Sequence, residues 1–468
     1  MPSAKTQPAR GMRDFLPADV RRREYVIGVI KEVYERYGFE PLETPAVENI
    51  ETLLGKYGEE GNQLIYKILK RGVHESTGEA DLALRYDLTV PLARVVAEYR
   101  DKLPKFFKRY QIQPVWRADR PARGRFREFY QCDVDVLGSR SMLVEAEICA
   151  AASDALVALG FNDFTIRMNH RQLLNGILEA TGVPSDKHSD FLVSLDKLDK
   201  IGSEGVFREF QQRGILLNEG NKAARFLLDL LLAWVRKAFE VEFQVRGDFN
   251  AEERSAVNHE LLEKISEVVT GNIDGQNGLA ELKSLLDLIK QTPAKGRIEI
   301  DPFLARGLSY YTGSIFEITV PGLAGSLGGG GRYDNLVGMF MSESVPACGF
   351  SLGLERIIVV MTEREMFPAA LVSSPADVMV SIWNEGSVAD SISLAQELRS
   401  AGVRVDLYPE ADKLGKQFKY ASARLIPFVA VIGDDERARG EVSIKDLRSG
   451  MQRSVKRENL AVTLRESL

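Results

Sequence analysis

The sequence is poor in the residues that build disulfide frameworks, zinc sites and histidine-based catalytic groups. It has 468 residues but only three cysteines and four histidines, and no two cysteines have the spacing of a metal-ligand pair. Runs of about 18 apolar residues, the length that spans a membrane, are also missing. Residues 1–15 lack the apolar core of a secretion signal. We therefore expect a cytoplasmic protein without a zinc site or a membrane segment.

The bulk composition is ordinary for a globular protein, because 44% of the residues are hydrophobic and 27% are charged. A chain of this length is expected to form about three domains. The net charge of −6 does not indicate nucleic-acid binding by the whole surface. A local basic face can still bind RNA on an acidic protein, so the net charge alone does not exclude that function.

Changes in hydrophobic periodicity divide the chain into a long first domain and a short second domain. Residues 1–370 combine strand-like and Gly-rich segments, and Leu-rich segments with helical periodicity interrupt them from 171 to 290. Residues 371–376, with the sequence LVSSPA, are predicted to be a linker. Residues 377–468 alternate between strands and helices and end in a predicted hairpin. This alternation is typical of a small α/β domain with a partly parallel sheet.

The stretch RADRPARGRFREFYQCDVDV, residues 117–136, has an unusual distribution of charge. Five arginines fall within the eleven residues from Arg117 to Arg127. The segments on both sides have β character, and residues 117–125 contain a proline and a glycine, which are turn residues. The simplest prediction is two antiparallel strands joined by a long, arginine-rich loop.

The second of these strands is predicted to have one apolar and one polar face, because side chains alternate along a strand. One face is expected to be core, with Glu128 as its polar exception; it carries Phe126, Tyr130, Cys132, Val134 and Val136. The other face carries Arg127, Phe129, Gln131, Asp133 and Asp135. Carboxylates buried without partners cost several kcal/mol, so this face should meet a pocket, a ligand or paired arginines. A solvated hairpin with internal salt bridges is the alternative.

These residues resemble motif 2 of the class II aminoacyl-tRNA synthetases. GFSLGLERI, residues 349–357, resembles motif 3, and residues 20–45 resemble motif 1. LARGLSYYTGSIFEI (304–318) and GGGGRYDNL (328–336) are similar to the two signature segments of the histidyl-tRNA synthetases. Residues 84–94, LRYDLTVPLAR, resemble the amino-acid-binding strand of that family, and the C-terminal α/β domain resembles its anticodon-binding domain.

The resemblance implies an α+β catalytic domain with an antiparallel class II synthetase sheet of six strands, a helical insertion and a C-terminal α/β anticodon-binding domain. It also implies a homodimer whose substrates are L-histidine, ATP and tRNA(His), with Mg²⁺ bridging the phosphates of ATP. The chain departs from the family at Ser309, where an aspartate is usual. This substitution weakens any supporting role for an acid at that position.

The reaction implied by the family has two steps. The carboxylate of histidine attacks the α-phosphate of ATP, and the resulting adenylate then acylates the terminal adenosine of the tRNA. The attacking carboxylate is already ionised at neutral pH, so the first step needs alignment and positive charge rather than a general base. This requirement agrees with a sequence that has many arginines in its motifs and few histidines.

The resemblance assigns four arginines and one aspartate to ATP and catalysis. Arg117 would bind the α-phosphate and the carboxylate region of histidine, and Arg356 would bind the far phosphates. Asp119 and Arg127 would belong to the loop around adenosine. Arg306 would be the catalytic arginine that also contacts histidine and offsets charge on the α-phosphate. Without the resemblance, the simplest interpretation of Arg356 would be a residue that forms a salt bridge on the surface of a helix.

The resemblance also assigns the residues that bind histidine. Asp87, Thr89 and Gln131 would hold the α-amino group. Asp135 and Tyr311 would bond the imidazole, while Tyr310 would pack against it as the wall of the pocket; without the resemblance, two adjacent tyrosines would be ordinary sheet residues. Asp133 is expected to be the structural partner of an arginine.

In the C-terminal domain, Lys413, Lys416 and Lys419 recur every three residues on one predicted helix, with Phe418 and Tyr420 nearby. Such a pattern is usually a solvated charged face. The family makes contact with the anticodon region of the tRNA the favoured interpretation, with basic groups on the RNA backbone and aromatic rings on unpaired bases.

Two other classes of function remain as alternatives. Some relatives keep a histidyl-like core and act as regulators, for example of the first enzyme of histidine biosynthesis, but they typically lose the ATP arginines and lack the anticodon domain. A pure RNA-binding module is disfavoured by the polar strand face, which is suited to a small ligand. Within the enzymes, the two signature segments disfavour threonyl or prolyl specificity.

Overall fold

The computed structural model describes residues 6–72, 77–180, 182–195, 197–215, 251–305, 310–368, 371 and 374–467. The chain forms two compact units that divide between residues 367 and 368. Each unit has its own sheet and its own hydrophobic core. Within the described ranges, no helix combines the length and the apolar character that crossing a membrane requires.

The first unit mixes strands and helices. Its strands are β1 (Glu40–Pro41), β2 (Val47–Asn49), β3 (Lys67–Leu69), β4 (Ala80–Leu84), β5 (Phe107–Trp116), β6 (Glu128–Leu137), β7 (Thr165–His170), β8 (Ile298–Ile300), β9 (Ser314–Thr319), β10 (Gly328–Arg332) and β11 (Ala347–Gly353). Its helices are α1 (Pro17–Arg36), α2 (Ile50–Leu53), α3 (Gly58–Gln63), α4 (Thr89–Glu98), α5 (Leu143–Ala158), α6 (Arg171–Ala180), α7 (His188–Leu195), α8 (Leu198–Gln212), α9 (Ala251–Val268), α10 (Ile273–Ile289) and α11 (Leu354–Glu363).

Eight strands of this unit form one sheet, in the order β1-β5-β6-β11-β10-β9-β7-β8. The six strands from β5 to β7 pair antiparallel throughout. The two edge strands, β1 and β8, pair parallel with their neighbours. The predicted six-stranded antiparallel sheet is therefore confirmed, and a short parallel strand extends it on each side. β2, β4 and β3 form a separate antiparallel sheet.

One face of the large sheet is apolar and is covered by helices α1, α5 and α11. On β6 this face carries Cys132, Val134 and Val136, which are all buried as predicted. In α1, Val26 and Ile30 lie on the helix face that packs into the same core. Full burial of a side chain of this size contributes ~1.5–3 kcal/mol. The alternation along β6 therefore determines which of its residues face the opposite, polar side.

The loop between β5 and β6, residues 117–127, is called the arginine loop below. It is two residues longer than predicted, because β6 begins only at Glu128. An isolated bridge between Ala122 and Arg125 closes the tip of the loop. Phe126, which the alternation places on the core face, lies in the loop instead and does not share the orientation of β6. This placement corrects the prediction for Phe126.

Helices alone connect β7 to β8 in the described part of this region, and they run from α6 to α10. β7 and β8 are neighbours in the sheet and pair parallel, with Ile166 opposite Ile298. The helices therefore lie between two strands of the same sheet, as an insertion does. Residues 216–250, which fall within the predicted helical insertion, lie outside the described residues.

The second unit has a five-stranded sheet in the order β13-β12-β14-β15-β16. Its strands are β12 (Val378–Val380), β13 (Val405–Leu407), β14 (Phe428–Val431), β15 (Glu441–Asp446) and β16 (Gln452–Lys456). Its helices are α12 (Val388–Ser400), α13 (Leu414–Ala423), α14 (Asp434–Arg439) and α15 (Leu460–Ser467). β12, β13 and β14 pair parallel, and β15 and β16 form an antiparallel hairpin. Both the partly parallel sheet and the hairpin were predicted.

Candidate active site

A cavity of about 850 Å³ lies on the polar face of the eight-stranded sheet. Most of the residues predicted for the site line this cavity together: Asp87, Thr89, Arg117, Asp119, Gln131, Asp135, Tyr310, Tyr311 and Arg356. They come from β6, from the arginine loop, from the start of α4 and the residues just before it, from the segment before β9 and from α11. The fold thus brings motifs that are distant in the sequence to one concave surface.

The strand register explains how the polar groups gather. Asp135 on β6 lies opposite Arg109 on β5 and opposite Gly349 on β11. Two residues earlier on β6, Asp133 lies opposite Ser351 of β11. Residues opposite each other on neighbouring strands point to the same side of a sheet. The alternation along β6 therefore becomes rows of polar or small residues across the wall of the cavity.

Gly349 leaves the space that the carboxyl group of Asp135 occupies. A Cβ atom at Gly349 would lie 1.8 Å from Oδ1 of Asp135 and 3.1 Å from the backbone oxygen of Val134. No side chain larger than hydrogen fits there without moving the carboxyl group. The glycine of β11 is thus part of the geometry of the site.

Arg109, Asp133 and Asp135 form a buried charged cluster at the cavity wall. Nη2 of Arg109 lies 2.8 Å from Oδ2 of Asp135 and 3.8 Å from Oδ2 of Asp133. The shorter contact is an ion pair by distance, although its angles are not those of a hydrogen bond. The hydroxyl of Tyr333 donates a hydrogen bond to Oδ1 of Asp135. Asp135 is therefore held from both sides.

Burial raises the pKa of both aspartates in this cluster, and the charge of Arg109 opposes the rise without cancelling it. The pKa of Asp133 is raised to about 7. The two carboxylates share one arginine and titrate as a pair. The cluster contains two carboxyl groups but only one arginine. It therefore favours an N–H donor or a cation on the cavity side.

Two of the buried acceptors on the cavity wall that lack a hydrogen-bond partner belong to Asp87 and Gln131. Oδ1 of Asp87 accepts hydrogen bonds from the hydroxyl of Tyr57 (2.9 Å) and the backbone N–H of Val90 (3.0 Å). Nε2 of Gln131 donates to the hydroxyl of Ser351 (2.9 Å). Among the described residues, no hydrogen-bond donor reaches the buried Oδ2 of Asp87 or Oε1 of Gln131. Buried acceptors without partners suit a ligand that carries an ammonium group.

Arginines gather where the cavity meets the arginine loop. Nε of Arg117 donates to the backbone oxygen of Tyr86 (3.0 Å), and its guanidinium group lies 4.3 Å from the centre of that ring. Arg356, in the first turn of α11, donates to the backbone oxygen of Ser326. Gly124 has φ +68°, and a Cβ there would lie 3.2 Å from Cγ of Arg356. Planar guanidinium groups held in this way are suited to bidentate contacts with phosphate.

Arg127, which was predicted to bind ATP, does not line the cavity. Its Nε donates to the backbone oxygen of Asp119 (3.0 Å), and its backbone N–H donates to the oxygen of Gly11 (2.8 Å). The guanidinium group is thus engaged within the loop and turned toward the N-terminal residues. In this structure Arg127 therefore supports the arginine loop, and its contact with ATP stays a prediction.

The other predicted residues fall in two places. Arg306 and Ser309 lie outside the described residues. The three lysines belong to the second unit, where all are exposed. Lys413 precedes α13, which corrects the prediction that all three lie on one helix; only Lys416 and Lys419 do.

Sequence reasoning missed three residues of the site. Arg109 and Tyr333 contact Asp135, as described above. Glu355, buried in the first turn of α11, accepts hydrogen bonds from Arg23 (2.7 Å) and from the backbone N–H of Tyr130 (2.9 Å). The pairing of Arg109 with Asp135 depends on the register of β5 and β6, which the sequence does not display.

Comparisons with known proteins agree with this architecture. A family model described as histidyl-tRNA synthetase matches residues 11–357, and one described as an anticodon binding domain matches residues 377–467. A histidine–tRNA ligase of Flavobacterium johnsoniae is 38% identical, with 99% of each chain covered. One from Gloeobacter violaceus is 41% identical, with 95% of each chain covered.

Among solved structures, the histidyl-tRNA synthetase of Nostoc sp. is similar, with a TM-score of 0.78 and 32% identity over 99% of this chain and all of that chain. The fold and these matches define a class II aminoacyl-tRNA synthetase. Within that class, the chain belongs to the histidyl-tRNA synthetase family. The activity of this family is that of an ATP-dependent histidine–tRNA ligase.

Proposed function

We propose that the cavity binds ATP and L-histidine together, joins them as histidyl-adenylate and transfers histidine to the 3′ end of tRNA(His). The observation that carries this proposal is the polarity of the cavity. Arginines gather at the arginine loop, whereas unsatisfied acceptors and carboxylates lie along β6. Gln131 and Asp135 are separated by about 13 Å of strand, a span suited to the two ends of one amino acid.

The first chemical step requires charge stabilisation in the ATP part of the cavity. The carboxylate of histidine attacks the α-phosphate, and pyrophosphate leaves. We assign Arg117 to the α-phosphate and the histidine carboxylate, Arg356 to the far phosphates and Asp119 to adenosine. Arg306 is proposed to be the catalytic arginine on the basis of its sequence segment. Preorganised positive charge lowers the barrier because negative charge builds on the phosphate in the transition state.

The α-amino group of histidine is proposed to bind Asp87, Thr89 and Gln131. The unsatisfied Oδ2 of Asp87 and Oε1 of Gln131 support this assignment, because an ammonium group has three donors and no acceptor. Thr89 starts α4 beside them and lines the same cavity.

The imidazole ring is proposed to bind Asp135 and Tyr311, with Tyr310 against its side. Both tyrosines are buried and line the cavity, and their ring centres are 5.0 Å apart. Because Oδ1 and Oδ2 of Asp135 already contact Tyr333 and Arg109, the carboxylate is preoriented toward a single N–H donor.

Mg²⁺ is proposed to enter with ATP, bound mainly by phosphate oxygens, since this ion keeps several waters and needs only one or two protein carboxylates. Groups of three or more His, Cys, Asp or Glu side chains that could hold a metal are absent from the described ranges. Glu317 lines the cavity and offers one such carboxylate. When bound, the ion would offset negative charge on the phosphates.

The tRNA is proposed to bind both domains, with residues 377–468 reading the anticodon region. Lys413, Lys416 and Lys419 are the proposed contacts there. The proposed catalytic domain is 1–370 with its insertion at 171–290, followed by the linker 371–376.

A cytoplasmic homodimer is also proposed. The exposed apolar side chains of Val47, Leu69 and Leu82, all on the three-stranded sheet, support an interface between two copies of the chain. Sedimentation analysis of the purified protein tests this assembly, and a monomer at all concentrations would contradict it.

The proposed activity is tested by ATP–pyrophosphate exchange with each standard amino acid in turn. Exchange with histidine alone is the expected result. No exchange with any amino acid, in protein with a cooperative melting transition, would contradict the enzyme and favour a regulatory role.

A further inference from the structure

The residues that precede α1 lie against the arginine loop. Residues 9–15 are called the N-terminal segment here. The segment begins with a turn in which the N–H of Met12 donates to the oxygen of Ala9 (2.9 Å). Gly11 is the third residue of this turn and has φ +84°, the value that a type II turn requires and that favours glycine.

Gly11 is packed directly against the arginine loop. Its oxygen accepts the backbone hydrogen bond of Arg127 (2.8 Å). A Cβ atom at Gly11 would lie 2.8 Å from Cγ of Arg127 and 2.9 Å from Cγ of Pro121. The turn of the N-terminal segment therefore packs against the middle of the arginine loop at Pro121 and against its end at Arg127, and only glycine leaves room for this contact.

Beyond Gly11, cations and aromatic rings alternate from the loop to the sheet. The guanidinium carbon of Arg13 lies 3.4 Å from the ring centre of Phe126 and 5.0 Å from that of Phe15. The guanidinium carbon of Arg23 lies 4.1 Å from Phe15 and 4.8 Å from Tyr130. Each contact lies within the range of a cation–π interaction. The order is thus Phe126, Arg13, Phe15, Arg23 and Tyr130.

The far end of this row is fixed in the core of the domain. Nη1 of Arg23 donates to Oε1 of Glu355 (2.7 Å), and Oε2 of Glu355 accepts from the backbone N–H of Tyr130 (2.9 Å). Glu355 is buried at the start of α11, next to Arg356. The near end, Phe126, lines the cavity. The row therefore connects a rigid helix start to a loop residue at the nucleotide part of the cavity.

We infer that the N-terminal segment holds the arginine loop in its ATP-binding conformation, with Gly11 and Arg13 as positioning residues. The inference rests on the proposed function to the extent that the loop is the part of the site that binds ATP. A long loop without such support would sample many conformations, and binding ATP would then include the cost of ordering it. Loss of the segment should therefore weaken ATP binding more than histidine binding.

The first experiment measures hydrogen exchange of the full-length protein without substrates. Gly11→Ala should accelerate exchange in a peptide that covers residues 117–127, because the amide of Arg127 loses its acceptor. Gly28→Ala is the matched control, since Gly28 is exposed in α1 and a Cβ there meets no atom within 4 Å. Unchanged exchange in residues 117–127 of Gly11→Ala would overturn the inference. This experiment does not depend on any enzymatic activity.

The second experiment compares KM values for ATP and histidine in pyrophosphate exchange. Arg13→Met should raise the KM for ATP about threefold to tenfold, the range that corresponds to loss of a cation–π contact, with the KM for histidine changed less than twofold. Arg13→Lys should restore part of the effect. Arg297→Met is the matched control, because Arg297 lies over Phe164 (4.1 Å) and neither residue lines the cavity.

Two outcomes of the second experiment would overturn the inference. One is an unchanged KM for ATP in Arg13→Met. The other is a rise of the KM for ATP and the KM for histidine by the same factor in Arg13→Met, together with a loss of melting temperature equal to that of the Arg297→Met control. This result would indicate a general loss of stability. An inactive wild-type protein would contradict the proposed function instead, and the hydrogen-exchange result would still decide the role of Gly11.

Discussion

Arg109 and Asp135 form an ion pair inside the sheet, with 2.8 Å between Nη2 and Oδ2. Arg109 is completely buried, and Asp135 is 3% exposed. A buried charge without its partner is strongly unfavourable, so the two residues depend on each other for stability. Asp135 therefore has two roles, since it faces the cavity and also neutralises an arginine.

Asp135→Ala is expected to impair both histidine recognition and folding. The KM for histidine should rise and kcat/KM should fall, with the KM for ATP changing much less, because the imidazole would lose the acceptor proposed for it. The free energy of unfolding should also fall, by up to ~3–5 kcal/mol, since Arg109 keeps only its longer contact with Asp133 (3.8 Å). Exchange kinetics and thermal melting measure the two effects. A lower melting temperature with normal histidine kinetics would show that the carboxylate is structural only.

Stability should depend on pH through Asp133, whose pKa is raised to about 7 by burial. A raised pKa means that the folded protein binds the proton more tightly than the unfolded chain does, whose aspartates titrate near pH 4. This contribution is complete below pH 4 and is lost as the pH rises through about 7. The stability advantage of wild type over Asp133→Asn should therefore shrink from pH 5 to pH 8. Urea titrations at several pH values measure it, and a constant difference would contradict the assignment.

Gly349→Ala is expected to displace the carboxyl group of Asp135, because its Cβ would lie 1.8 Å from Oδ1. The KM for histidine should rise at least tenfold, which corresponds to about 1.4 kcal/mol. Gly28→Ala serves as the control for the change from glycine to alanine. Equal histidine KM values in the two variants would mean that the carboxyl group has another position available.

A chain that ends at Pro375 is expected to keep histidine activation and lose most tRNA charging. The cavity is built entirely from residues before position 357, and the exposed lysines of the second unit would be removed. Pyrophosphate exchange and aminoacylation of tRNA measure the two activities separately. If charging is as efficient as in the full chain, the second unit does not read the anticodon region.

The period-two alternation of residues 128–137 was sufficient to predict β6, its buried face and the position of Gln131 and Asp135 in the site. Strand alternation is a local property, so the sequence displays it directly. Contacts between distant segments were not predictable in this way. The partner of Asp135 depends on the register between β5 and β6, which the loop length sets.

Arg127 shows the same limit for a loop. Its predicted contact with ATP follows from its place in a motif and stays a prediction. Its backbone N–H donates to Gly11, more than one hundred residues away in the sequence, and no local pattern indicates this contact. Phe126 was misplaced because β6 begins only at Glu128, so the alternation of the strand does not extend to position 126. The position of a loop residue depends on packing between segments that are remote in the sequence. Neither secondary-structure propensity nor hydrophobic periodicity contains that information.

The parallel pairing of β7 with β8 has a consequence for variation of the chain. Ile166 and Ile298 are adjacent across these strands, although more than one hundred residues lie between them in the sequence. The chain leaves the sheet after β7 and returns to the same edge, while β7 keeps its antiparallel register with β9. Insertions or deletions among the intervening helices therefore need not shift β6, β10 or β11, which line the cavity. This edge of the sheet can accept new helical modules while the wall of the cavity stays unchanged.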